Sequence, residues 1–143
     1  MSGLFKEFKM NTEREINGFR VEPTQRQNPD GTLPVFILAR MGGRNKEYAK
    51  ARDKEFSKRD NQQLASKTMP DDVFRPKILR AFIKSVLKGW ENVFDEFDSP
   101  IPYSQSAATE LLTELPDLAD ILIAEASDEA NFKESGLEAD AKN

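Results

Sequence analysis

The chain contains no cysteine and no histidine among its 143 residues. Without cysteine there is no disulfide framework, no thiolate nucleophile and no thiolate metal site. Without histidine the commonest general base and the commonest metal ligand are missing, as is the side chain that titrates near neutral pH. Ser104 and Ser106 do not stand in a GxSxG setting. The carboxylate pairs fall on helix surfaces, with no apolar wall to raise a pKa. Gly42-Gly43 beside Arg44 lacks the spacing of a phosphate-binding loop, and Asp95, Glu96 and Asp98 lack that of a calcium loop. The expectation is a protein that is not an enzyme and has no metal or cofactor. No apolar run approaches the ~20 residues of a membrane span. The opening MSGLFKEFKM lacks the apolar core of a signal peptide. A soluble protein of the cell interior, with no membrane partner, is expected.

What is present is charge, unevenly distributed. Charged residues make up 32% and hydrophobic residues 38%, and the net charge is −4. Residues 1–90 carry 19 Lys and Arg against 11 Asp and Glu, whereas residues 91–143 carry 2 against 14. Such asymmetry implies that one half packs on the other or that each offers a charged surface. An acidic second half argues against nucleic acid as a partner.

The clearest strand is LPVFILARM at 33–41, with Val35, Phe36, Ile37 and Leu38 continuous. EREINGFRVE at 13–22 reads as its hairpin partner, with Asn17-Gly18 as a tight turn or bulge and Asn28-Pro29-Asp30-Gly31 in the connecting loop. Residues 1–12 read as a leader whose Leu4, Phe5, Phe8 and Met10 define no element. Helices are expected at about 45–66, 70–89, 105–115 and 116–132. The first mixes both charge signs on a solvated face. The second is apolar over roughly two thirds of its circumference, so the rest of the domain or a partner must wrap it. Thr68 or Pro70 marks its start, Gly89 its stop, and Pro76 a kink. Its polar remainder is a basic strip of Lys77, Arg80, Lys84 and Lys88, with Arg75 off the strip. That strip is expected to face the acidic second half, within the chain or across a dimer. Ser104 reads as a helix cap, and Pro116 starts the last helix after a Leu-Pro corner.

The fold expected is therefore α+β and mostly α. An antiparallel hairpin at 13–41 packs on a bundle of about four helices in one domain over 1–132. A flexible polar tail follows at 133–143. The hairpin's open edge makes a homo-oligomer plausible.

Several short motifs occur in a telling order. Leu38-Ala39-Arg40-Met41-Gly42-Gly43-Arg44-Asn45-Lys46 leads to Tyr48. Then come Trp90-Glu91-Asn92-Val93, an acidic turn, Ile101-Pro102-Tyr103-Ser104, a Leu-Leu helix, Pro116-Asp117-Leu118 and Asn131-Phe132. This order resembles the tail assembly chaperones of long-tailed phages, the siphoviruses, over roughly residues 33–132. Ser99 departs from the Gly expected in the acidic turn.

The resemblance implies a non-catalytic role in phage tail morphogenesis. Proteins of that family bind the tape measure protein, a long helical chain that sets tail length. They keep it soluble and help recruit tail tube protein around it, in the host cytoplasm, and are absent from the mature virion. A longer, frameshifted form of the same protein is a further partner. A helix-binding groove would be lined by Trp90, Phe94, Phe97, Ile101 and Tyr103, with Leu111, Leu115, Leu118 and Leu122. Glu110, Glu114, Asp117 and Asp120 would steer a basic client or the basic half of a second copy. Two other readings stay open. One is a tail completion or connector protein retained in the virion, and the other is a small DNA-binding regulator using the basic helix at 44–59.

Overall fold

The computed structural model describes residues 2–134. It is α+β and mostly helical, with a three-stranded antiparallel sheet where a two-stranded hairpin was expected. Helices α1 (Gly3–Phe8) and α2 (Thr12–Asn17) precede strands β1 (Phe19–Val21) and β2 (Val35–Leu38). Helices α3 (Lys46–Glu55), α4 (Lys58–Ala65) and α5 (Asp71–Ser85) follow, then β3 (Leu87–Glu91). Helices α6 (Gln105–Glu114) and α7 (Pro116–Ser127) and a 3-10 turn (Glu129–Phe132) complete the described chain.

The strand expected at 13–22 is mostly helix. Asn11 accepts a bond from the Arg14 amide (2.9 Å), so it caps α2. Glu13 and Glu15 in the first turn suit the positive end of the helix. Gly18, at φ 102°, ends the helix and hands the chain to β1. Only Phe19 to Val21 pair with β2, in register Phe19 to Leu38 and Val21 to Phe36.

The helix expected to reach Gly89 stops at Ser85, and the next residues become the third strand. The Ser85 hydroxyl donates back to the Ala81 carbonyl (2.6 Å), a bond that competes with helix propagation. Leu87 and Trp90 then turn inward against β2, with Trp90 opposite Phe36 and Gly89 opposite Ile37. A bulge between Ile37 and Leu38 absorbs the misfit. Pro76 does not divide α5, and Pro70 rather than Thr68 stands at its cap position.

The expected helix 45–66 is two helices. Phe56 takes an extended conformation and is buried against Phe74, with ring centroids 5.8 Å apart. Ser57 restarts the helix in a reciprocal capping box with Asp60. The caps at Ser104 and Pro116 stand where the sequence places them.

The core is centred on α5. Its Ile78, Ala81, Phe82 and Ile83 are buried. Phe82 and Ile83 meet Phe36 and Leu38 from the sheet, Leu112 from α6 and Leu122 from α7 in one continuous cluster. Phe132 closes the far end, edge-on to Phe19 at 5.1 Å. The polar tail expected from 133 onward begins with docked residues. Lys133 pairs with Met10, and the Glu134 amide donates to the Lys9 carbonyl (2.9 Å). The remainder of that tail lies outside the described residues.

A second polar feature sits inside. Glu15 is 1% exposed and its Oε1 accepts from Arg40 Nη1 at 2.6 Å. Gly43 lies against this pair, so a Cβ there would come within 2.5 Å of Glu15 Oε1. The Gly-Gly segment thus lets the chain pass a buried ion pair on its way from β2 to α3.

Candidate client groove

The groove is built outward from Trp90. Its indole N–H donates to the Ile101 carbonyl (2.8 Å), and the Tyr103 hydroxyl donates to the Leu87 carbonyl (2.9 Å). The two rings meet edge-on at 5.1 Å. These bonds tie the segment after β3 back onto the sheet. Burial of the Tyr103 phenol pushes its pKa above the usual value.

Between Val93 and Ile101 the chain makes a tight excursion. The Ile101 amide donates to the Val93 carbonyl (2.8 Å) and Phe94 bridges Pro100. The Asp95 carboxylate accepts from the amides of Phe97 (2.8 Å) and Ser99 (2.9 Å). Asp98 takes the left-handed conformation, φ 62°, so the turn closes with Ser99 and needs no glycine there. The consequence is that Phe97 stands at the tip, 80% exposed.

The facing wall is α6. Ser104 accepts from the Ala107 amide (3.0 Å) and so sets the helix phase. That phase turns Ala107, Leu111 and Leu115 toward Phe94, Phe97 and Ile101. The space between them is about 580 Å³. Asp95, Glu96, Glu110 and Glu114 are the charged residues lining it, with no lysine or arginine. The result is an apolar groove in an acidic frame, formed by residues separated by a single capped turn.

Of the residues singled out in sequence, Phe94, Phe97, Ile101, Leu111 and Leu115 converge here, as do Glu110 and Glu114. Trp90 is buried and Tyr103 half-buried, and both support the groove from beneath. Leu118 packs against the core outside the groove, and Leu122 is fully buried in that core. Asp117 is exposed and lines no cavity with the others. Asp120 belongs elsewhere, accepting from Arg75 at 2.8 Å.

The basic strip does not face the acidic half of its own chain. Lys77 donates to the Glu55 carbonyl (3.0 Å) and lies 3.5 Å from Asp60, while Arg80 pairs with Glu55 at 3.0 Å. Both partners are on α3 and α4, because α3 packs along the length of α5. Lys84 and Lys88 are exposed. Cations of the first half that pair with acids of the second are Arg75, off the strip on α5, with Asp120, and Arg20 on β1, with Glu91.

Sequence reasoning did not find the second cleft. It lies between α3, α5, α6 and α7 and also encloses about 580 Å³. Tyr48, Phe74, Leu79 and Ile123 are among its apolar lining residues, and Arg52, Asp71, Arg75 and Asp120 are the charged ones. The spacing of Tyr48 and Arg52, four apart on α3, was the available signal. Asp95 and Glu96 were likewise weighed only as metal ligands. Among the described residues no group of three or more acids could hold a metal. No described helix is long and apolar enough to cross a membrane.

The sequence model of the family described as YdaY prophage protein matches residues 43–143. The chain belongs to the YdaY prophage protein family. It is therefore a phage-derived protein. The YdaY segment begins at Gly43, beside the buried Glu15–Arg40 pair, and takes in the whole groove and both helices α6 and α7. No curated protein and no solved structure matches the chain.

Proposed function

We propose that this YdaY-family protein is a non-enzymatic tail assembly chaperone that binds the tape measure protein. The supporting observation is the groove itself. Phe97 and Leu115, 80% and 45% exposed, flank an apolar trough framed by carboxylates alone. An amphipathic client helix would lay its apolar face between Phe94, Phe97 and Leu111, with its basic residues toward Glu110 and Glu114. Such a site binds reversibly, because the apolar area gained is offset by ordering of the client. Reversibility suits a protein that must surrender its client when tail tube subunits polymerise around it. In this reading the chaperone works in the host cytoplasm, meets the tail tube protein and a frameshifted longer form of itself, and is absent from the mature virion.

The test is co-expression with the tape measure protein of the same phage. Wild-type chaperone should hold the client in the soluble fraction and co-purify with it, and the double variant F97S/L115S should do neither. A client that stays insoluble with the wild type overturns the reading. Mass spectrometry of purified virions separates it from a tail completion or connector role, which requires the protein in the particle.

A further inference from the structure

The molecule displays a second apolar patch that no part of the described chain covers. Leu4, Phe5 and Phe8 are 72%, 62% and 64% exposed. They fall on one face of α1, which buries none of its residues. Six residues are too few to hold a helix by propensity. The chain after α1 is nevertheless anchored, through Met10 paired with Lys133 and Lys9 accepting from Glu134. The patch is thus held out on a fixed base. With Met10 and Thr12 it borders a hollow of about 560 Å³ whose charged lining residues are Lys9 and Arg44.

This patch and the groove between Phe97 and α6 share no residue. Both are apolar, and the charged residues lining them are opposite in sign: Lys9 and Arg44 at one, carboxylates alone at the other, while Glu7 of α1 is paired with Lys133. Glu96, Glu110 and Glu114 have no ion pair among the described residues, and neither has Lys9. We propose that α1 of one copy docks in the acidic groove of a second copy. Phe5 and Phe8 lie on the Phe94–Leu111 floor, and Lys9 and Arg44 meet Glu110 and Glu114. The contact joins two different surfaces, so it closes as a reciprocal pair or propagates head to tail. It rests on the proposed client-binding role for one consequence only. The chaperone stores its groove covered, and a client helix must displace α1 to enter.

Self-association is measured without any client, so its outcome is independent of that role. Wild-type protein in sedimentation equilibrium should show a concentration-dependent mass above one protomer, weakening with salt. F5S/F8S should raise the apparent dissociation constant by about tenfold or more. K9E/R44E and E110K/E114K should each weaken association similarly, and an equimolar mixture of these two variants should recover a heterodimer. Unchanged circular dichroism confirms that these surface variants fold. As a second readout, a peptide of residues 2–10 added to F5S/F8S should shift the fluorescence of Trp90, the chain's single tryptophan. Its indole is bonded to the Ile101 carbonyl at the groove wall. A monomeric wild type, or reversal variants that associate like wild type, would overturn the proposal.

Discussion

Replacing Leu122 by Ala and Phe97 by Ser should give opposite phenotypes, although both residues are apolar and belong to the same candidate set. Leu122 is 0% exposed in the cluster with Phe82, Leu112 and Phe132. Truncation removes buried methyl groups and leaves a cavity that the surrounding rings fill only in part. The expected cost is ~3 kcal/mol, which lowers the melting midpoint by ~10 °C in a chain of this size. Below that midpoint L122A should keep its groove and, on the proposed function, bind the client as wild type does. Phe97 is 80% exposed on a turn held by Asp95. Its removal should change stability by less than ~0.5 kcal/mol. If the ring is buried on binding, F97S forfeits ~1.5–3 kcal/mol of association, or ~10- to 150-fold in affinity. Thermal melts followed by circular dichroism give the first quantity, and calorimetric titration with a tape measure segment gives the second. F97S melting as low as L122A, or binding as tightly as wild type, would refute the division into core and groove.

Arg40→Met should destabilise by ~3–5 kcal/mol in chemical denaturation, because it strands the buried Glu15 carboxylate without its partner. The double variant Glu15→Met/Arg40→Met should be more stable than Arg40→Met alone, since both charges are then gone. Gly18→Ala should cost ~2 kcal/mol or more by urea titration: the added Cβ would stand 3.0 Å from the Leu38 backbone at a φ of 102°. The Ser57 amide, bonded to the Asp60 carboxylate, holds that carboxyl below its usual pKa. The folded state therefore binds this proton less tightly than the unfolded chain. The stabilisation is complete above the ordinary Asp range and fades as pH falls through the lowered value. Asp60→Asn should flatten that part of the acid limb below about pH 4, measured as melting midpoint against pH.

Local chemistry was legible wherever one or two residues decide it. Val35 to Leu38 form a strand, Ser104 caps a helix and Pro116 opens one, as their types and spacing require. The α+β, mostly helical class followed from these. The acidic turn and α6 lie close in sequence, and five of the nine apolar groove candidates line one hollow. Where the reading departed from the structure, distant contacts outweighed local pattern. Thr12 to Asn17 is the exception, decided locally: it contains the apolar Ile16 expected of a strand, yet the flanking Asn11 cap and Gly18 stop make it a helix. Leu87 to Glu91 continues a helical apolar run, yet β2 has an unpaired edge beside it, and pairing satisfies both backbones. Phe56 breaks a charged helix because it is buried against the half-exposed ring of Phe74, eighteen positions on.

By itself, then, the sequence determined that no cysteine or histidine chemistry is available, where the surest helix starts stand, and that charge is divided unevenly between the two halves. Tertiary structure alone decided which apolar residues are wall and which are core, and which acids meet which cations. Periodicity states that Leu115 and Leu122 are apolar, but not what covers them. Leu122 is fully buried in the cluster that holds Phe82 and Phe132, whereas Leu115 is half-exposed and lines the hollow with Phe97. The same limit governs the charges. Arg75 reaches Asp120 across 45 positions because α5 and α7 flank one cleft, while Lys77 and Arg80 of the basic strip pair with α3 and α4.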